Sequence, residues 1–317
     1  MDLSQAPLLA AAAVVILIEW VMPLPTRYSP LALCRVIADA LAAKVNKTDS
    51  TDHQRTIAGF LALLTYIVLI GTLVWALLFV MPYDLVTESV LLYLSMGFHA
   101  VSNQSKDIED ALSGQQKSMA RSLLAELSRI DVSKLSPLGI IKNTLEVNIM
   151  AWLSYWLMPV VLFLLVGGLA SFVYAIVITA VNAWPVLNPK YNAFGALPHK
   201  FKTWFELPFT LILLPLFSVF KSSPGWLKVS LANRAQWPHQ QSFTELLWLS
   251  LVAAGCKIEM AGPVMFDGEK VARIRLKAGA APDQTAISAL RHWQHRFVIF
   301  SVCLLSLFWL LANVIPK

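Results

Sequence analysis

Residues 58–81 run for 24 consecutive positions without one charged side chain, and residues 149–184 run for 36 more. A bilayer core about 30 Å thick is crossed by roughly 20 apolar helical residues, so the first run fits one span and the second is too long for one. Gly167-Gly168 divides the second run and predicts two helices joined by a tight turn. A soluble chain would have to hide both runs beneath a charged surface. Here only 14% of residues are charged and 57% are hydrophobic, against roughly 25% and 45–50% in soluble domains. The composition predicts an integral membrane protein and excludes intrinsic disorder, which needs low hydrophobicity and high charge. Cys34, Cys256 and Cys303 are too few and too scattered for a disulfide framework or a Cys-rich metal site.

Hydropathy predicts spans at 7–22, 58–81, 85–100, 149–166, 169–184 and 297–315. Ahead of the first stand Asp2 and no Lys or Arg. The basic region of a signal peptide is therefore missing, and the segment reads as a retained helix that starts outside. Pro82 closes the second span. The third, with Leu85, Val90, Leu91, Leu94 and Phe98 at helical spacing, has an interfacial helix as its alternative. Lys and Arg collect in 25–57, 101–148, 185–203 and 221–296, which places these segments in the cytoplasm and requires 85–100 to cross.

Residues 204–220 reach the length of a span, but Pro208 and Pro215 interrupt them. A full crossing would also put the basic segment 221–296 outside, so a broken re-entrant or interfacial helix is expected. Lys317, after the last span, then lies outside. Leu246–Val252 is too short to cross and is expected on the membrane face. Asp267-Gly268 suits a hairpin turn, and Val271, Arg273 and Arg275 then alternate with Ala272, Ile274 and Leu276, giving a two-stranded element with a basic face. No repeat of 20–50 residues and no Gly/Ser- or Pro-rich linker divides the chain. The expected fold class is an all-α integral membrane protein. It is one multi-pass helical bundle over 1–317, with re-entrant or interfacial helices, large cytoplasmic loops and one small β-hairpin.

The net charge of +6 is spread over every polar connection instead of forming a basic stripe among aromatics. It reads as the positive-inside bias and excludes nucleic acid as a partner. No P-loop, GxGxxG, HExxH or GxSxG is present, and no metal motif either. His292 and His295 have the i, i+3 spacing of a shared metal, but Arg291, Trp293 and Arg296 around them read better as a basic, aromatic interface anchor. Glu19 is either an intramembrane site carboxylate or an acid one turn from water; both readings stay open. Glu146-Val147-Asn148 sets an acid and an amide just before the apolar run 149–184, and Asp131 follows Arg129-Ile130. Both suit a cation or an amine, or an ordinary solvated helix end. The turn-rich segment Asn188 to Gly195, with Lys190, Lys200 and Lys202 in and after it, offers positive charge to an anionic substrate or is a plain loop.

The serial order of these pieces resembles the CobD/CbiB membrane enzymes of cobalamin biosynthesis, the adenosylcobinamide-phosphate synthases, along most of the chain. The family's acid in its first helix matches Glu19, and its His-Pro step matches Ser29-Pro30, with serine for histidine. Ala111-Leu112-Ser113-Gly114, Ala120-Arg121 and Arg129-Ile130-Asp131 follow in family order, the last with its Arg-Asp pair split. Leu135 to Gly139, Glu146-Val147-Asn148, Met158-Pro159 and Lys190-Tyr191-Asn192-Ala193-Phe194-Gly195 continue it. Glu245 to Gly255 and Ala261-Gly262-Pro263 to Asp267-Gly268 complete it. The sequence departs where family acids fall at Val181 or Asn182 and at Lys202-Thr203. The family's Pro-Ala-Arg falls near Pro208-Phe209-Thr210, and a Ser-Pro-Asn-Ala-Gly stretch is reduced to His239-Gln240-Gln241-Ser242.

The resemblance implies a synthase, dependent on ATP and Mg²⁺, that joins aminopropanol or its O-phosphate to a propionate carboxylate of adenosylcobyric acid. It implies a multi-pass protein of the bacterial cytoplasmic (inner) membrane, embedded in the lipid bilayer, with its active face cytoplasmic. A corrinoid and an amino-alcohol or its phosphate are then its substrates, and a homo-oligomer or a complex with other corrinoid enzymes stays open. Such chemistry wants acids for Mg²⁺ and cations for phosphate. By resemblance the catalytic set is Glu146, Asn148, Asp131 and Lys190, with Glu146 and Asp131 the metal candidates. Arg121, Arg129, Tyr191, Gly195, Glu245, Gly262 and Asp267 are the substrate- or phosphate-binding candidates. One alternative is a non-catalytic membrane regulator similar to the ampicillin-resistance regulator AmpE, which the missing acids favour. From another class comes a transporter, which broken helices favour.

Overall fold

The structure, a computed structural model, describes residues 6–47, 49–80, 84–221, 225–237 and 241–314. Asp2, Met81, Pro82, His239, Gln240, Ile315 and Lys317, on which expectations above rest in part, lie outside the described residues.

Helix starts follow the chain's polar punctuation. After α1 (Ala6–Val21), α2 (Pro30–Val45) begins where Ser29 Oγ accepts from the Leu31 N–H at 3.2 Å and Pro30 needs no donor. The Ser29-Pro30 step is thus a helix cap. After α3 (Asp52–Val80), α4 (Leu85–Ser95) is capped by Asp84, which accepts from the Thr87 N–H at 2.9 Å. A break at Met96-Gly97 leads into α5 (Phe98–Ser113), followed by α6 (Lys117–Leu127). The Ser136-Pro137 step repeats the cap at α7 (Pro137–Trp152), with Ser136 Oγ 3.2 Å from the Gly139 nitrogen. A π-helical turn, Leu153–Leu157, joins α7 to α8 (Met158–Leu165). It lies just ahead of Pro159, whose missing N–H cannot complete a regular ladder.

The chain reverses at Gly167-Gly168, as the sequence predicts, into α9 (Gly168–Ala183). A Cβ on Gly168 would lie 2.2 Å from the Glu88 carbonyl oxygen, so only glycine lets α9 close on α4. Then come α10 (Asn192–Lys221), α11 (Trp226–Asn233), α12 (Phe243–Cys256), four three-residue strands and α13 (Thr285–Val314). The fold class is all-α. Among the described residues, four helical stretches are long and apolar enough to cross a membrane: Asp52–Val80, Leu85–Ser113, Pro137–Leu165 and Thr285–Ala312. Leu64, Val68, Leu73, Trp75 and Phe79 on α3, and Phe300, Leu307, Phe308 and Leu310 on α13, are exposed. Apolar faces of that extent belong in lipid.

The core centres on aromatic rings. Trp152 and Trp156 stack at 5.8 Å with an interplanar angle of 7°, and Trp152 meets Phe217 edge-on at 4.7 Å. Trp293, expected at headgroup level, is inside this cluster, 5.4 Å from Trp152.

Three further expectations are corrected. Pro208 and Pro215 do not break α10, which is one helix containing Pro198, Pro208 and Pro215; an interior proline removes one ladder bond without ending a helix that its neighbours support. The helix around Leu246–Val252 does not lie on a face: in α12 Leu246, Trp248 and Leu251 have no exposed surface. It is apolar on all sides, the pattern of an internal helix. The expected single hairpin is two antiparallel ribbons. β2 (Val264–Phe266) pairs with β3 (Glu269–Val271) across Asp267-Gly268, while β1 (Glu259–Ala261) pairs with β4 (Arg275–Lys277). Arg273 falls between β3 and β4, with its side chain turned inward.

Candidate functional site

Segments spanning residues 24 to 273 converge on an open cavity of about 560 Å³. Its floor and walls come from α2, α7, α9, α10 and α12, and Phe266 and Arg273 of the ribbon region close one side. Leu31, Val36, Met150, Leu249 and Phe266 give it apolar surface. Glu126, Glu146 and Glu245 are its carboxylates, and Arg27, Arg35, Arg129, Lys202 and Arg273 its cations.

Each carboxylate is held by a cation. One guanidinium nitrogen of Arg273 lies 2.7 Å from both oxygens of Glu146, and its Nε donates to the Gly262 carbonyl at 3.0 Å. Lys202 Nζ is 3.4 Å from Glu245, and Arg27 is 2.5 Å from Glu126. Behind Lys202, fully buried Glu206 accepts from Tyr174 at 2.7 Å and Thr244 at 3.1 Å. Burial works against the Lys202 ammonium, but Glu206 and Glu245 outweigh it and raise its pKa, so the group stays charged. Arg129 spans both oxygens of Asp39 at 3.0 and 2.8 Å.

Several polar groups of the cavity have no such partner. Both ring nitrogens of His199, the Oδ1 of Asn143 and the Oε1 of Gln241 make no hydrogen bond, and His199 and Asn143 are only 6% and 8% exposed. Burial lowers the His199 pKa to about 4, with Glu245 opposing the shift and Lys202 adding to it, so the imidazole is neutral at pH 7. The carbonyls of Val181 and Trp184 approach its ring without reaching hydrogen-bond geometry. Half-buried Arg35 has no ion pair and no hydrogen bond among the described residues.

Of the residues singled out in the sequence, Glu146, Arg129, Glu245 and Lys202 line the cavity, with Ser29, Asn182 and Gln241 from the segments compared with the family. Gly262 stands one bond behind it, through Arg273. The others lie elsewhere. Asn148 is buried and donates to Ser105 Oγ at 3.1 Å. Asp131 accepts from the hydroxyl and N–H of Ser133, and those bonds, the hydroxyl first, hold its pKa below the ordinary carboxylate value. Arg121 donates to the Leu135 carbonyl, tying α6 to the loop before α7. Lys190 is exposed, with Nζ 5.3 Å from the Tyr191 ring centre, and Asp267 occupies the exposed turn between β2 and β3. Gly195 serves packing, since a Cβ there would sit 2.4 Å from the Trp184 carbonyl oxygen.

Sequence reasoning missed Arg35, Asn143, His199 and Arg273 as cavity residues. One signal was present: His199, Lys202 and Glu206 fall at i, i+3 and i+7, a polar stripe on one face of α10.

A second polar cluster sits between α1, α5 and α13. Glu19 is 1% exposed and accepts from the His99 backbone N–H at 2.9 Å and from His99 Nδ1. The His99 and His295 ring centres are 5.6 Å apart, and His295 Nε2 lies 3.4 Å from Ser102 Oγ. His292, by contrast, is exposed, so the pair His292/His295 does not share a site.

Divalent magnesium takes free carboxylates and water. Among the described residues no three His, Cys, Asp or Glu side chains gather to hold a metal, and all three cavity carboxylates are neutralised by Arg or Lys. The donor set therefore does not fit a metal, whereas the cations fit phosphate or carboxylate oxygens. In comparisons with known proteins, the model of one family, described as CobD/Cbib protein, matches residues 10–293. No curated protein and no solved structure matches the chain.

Proposed function

The chain belongs to the CobD/CbiB family of cobalamin biosynthesis, and from that premise we propose that it is an amide-forming synthase of the adenosylcobinamide-phosphate type. In this reading it joins aminopropanol or its O-phosphate to a propionate of adenosylcobyric acid, at the inner face of the cytoplasmic membrane. One observation carries it: charged and unpartnered polar side chains from distant parts of the sequence meet in a single, largely apolar cavity.

Amide formation needs a carboxylate activated as an acyl phosphate, an amine that has lost its proton, and little competing water. ATP would supply the phosphoryl group. Arg35 neutralises phosphate oxygens, and Asn143 and Gln241 offer hydrogen bonds to the substrate. His199, neutral at pH 7, has ring nitrogens free to hydrogen-bond the attacking amine and position it, and the departing phosphate carries off the proton lost as the C–N bond forms. Glu146, clamped by Arg273, fixes the wall against which the substrate rests. No step is assigned to a metal, because the carboxylates that would bind one are already paired.

The test is complementation of a bacterial strain lacking the corrin amidation step. Expected is restored corrinoid-dependent growth by the wild-type gene and loss of growth with Glu146→Gln or His199→Asn at normal membrane levels. The misfit to a metal favours a second reading, a non-catalytic regulator similar to AmpE that binds its ligand without converting it. Failure of the wild-type gene to complement, with the protein present in the membrane, sinks the synthase and leaves that reading.

A further inference from the structure

Every carboxylate on the cavity wall has a cation, but not every cation has a carboxylate. Glu126, Glu146 and Glu245 are taken by Arg27, Arg273 and Lys202, and Arg129 is taken by Asp39, which is not on the wall. Arg35 is left over. It stands on α2 one turn before Asp39, half-buried and facing the cavity, without an ion pair or hydrogen bond among the described residues.

A guanidinium stays protonated in proteins, so it cannot escape burial by losing charge. Burial and then Arg129 both disfavour its charged form, with Tyr155 and Asp39 only partly offsetting them. That standing cost is relieved by an anion placed in the cavity. The same wall holds the unpartnered Asn143 and His199, each more than nine-tenths buried. We infer that Arg35 is the anchor of an oxyanion-binding site that holds a phosphate or carboxylate group of the ligand without a divalent cation.

The inference rests on the cavity being the ligand site, which the proposed function shares, but not on amide synthesis. The experiment uses the full-length protein in lipid nanodiscs, with calorimetric titration of inorganic pyrophosphate and, separately, succinate. Each is run in excess EDTA and in excess Mg²⁺. Expected is equal affinity with and without Mg²⁺ for at least one probe, and weakening by about tenfold or more in Arg35→Gln. Arg35→Lys should recover part of the loss, which separates lost charge from lost folding. Whichever probe binds tighter identifies the group as phosphate or carboxylate. Binding that appears only with Mg²⁺, an unchanged Arg35→Gln, or no binding of either probe to wild type overturns the inference. Complementation without oxyanion binding leaves the synthase standing and removes the anchor; binding without complementation does the reverse.

Discussion

Arg273 places one guanidinium nitrogen 2.7 Å from each carboxylate oxygen of Glu146, a residue 127 positions earlier in the chain. The contact ties the ribbon region to α7 and fixes one wall of the cavity. Its strength shows when it is broken, since a buried charge without its partner costs far more than the intact pair contributes. Arg273→Met is expected to destabilise the protein by about 3–5 kcal/mol, with Arg273→Met/Glu146→Leu recovering most of the loss. Thermal midpoints of the detergent-solubilised proteins decide it. A double variant as unstable as the single one refutes the argument.

His199 gives the cavity a pH dependence. Its pKa is about 4 in the folded protein against an ordinary 6.5, so between those values the unfolded chain binds the proton better. The contribution to stability is complete above pH 6.5 and is lost as the pH falls toward 4, amounting to about 3 kcal/mol at most. Midpoints measured from pH 7.5 to pH 5 should fall more steeply for wild type than for His199→Asn. Parallel curves would mean that the imidazole is not held neutral.

Close approach predicts a third outcome. With the Trp184 carbonyl oxygen only 2.4 Å from a Cβ on residue 195, Gly195→Val must push α10 away from the loop that follows α9. Overpacking of this kind costs about 1–3 kcal/mol. Expression level and thermal midpoint should both drop, and an unshifted midpoint would show that the backbone gives way freely.

Asn148 and Lys190 carry the opposite expectation. Asn148→Ala removes a buried bond to Ser105 and is expected to cost about 1 kcal/mol of stability. Pyrophosphate affinity should stay at the wild-type value. Lys190→Ala, at an exposed position, should change neither. A loss of affinity in either variant would return these residues to the binding site.

What the sequence disclosed is set by the range of the interactions involved. Uncharged runs and the Gly167-Gly168 reversal are local and lie where their chemistry says; the Ser29-Pro30 and Ser136-Pro137 caps are as local but were not read as caps. Pro208 and Pro215 misled, because a proline's effect depends on neighbouring helices that no local pattern reveals. The site divided along the same line. Glu146, Arg129 and Glu245 were found by order along the chain, whereas Arg35 and Arg273 gain meaning only from partners they lack or meet more than a hundred residues away. Gly262 was found by resemblance as a binding candidate, yet its carbonyl matters because it accepts from Arg273 Nε.

The Glu19–His99 contact has a consequence for biogenesis. During synthesis α1 emerges before α5, carrying a carboxylate whose partners, the His99 ring and backbone N–H, have not yet been made. Glu19 stands in the last turn of α1, and an acid inside a hydrocarbon layer is costly until it is partnered. Until His99 arrives, that carboxylate is best served by staying near the lipid headgroups. Docking of α1 is thus complete only once α5 is present to answer its carboxylate.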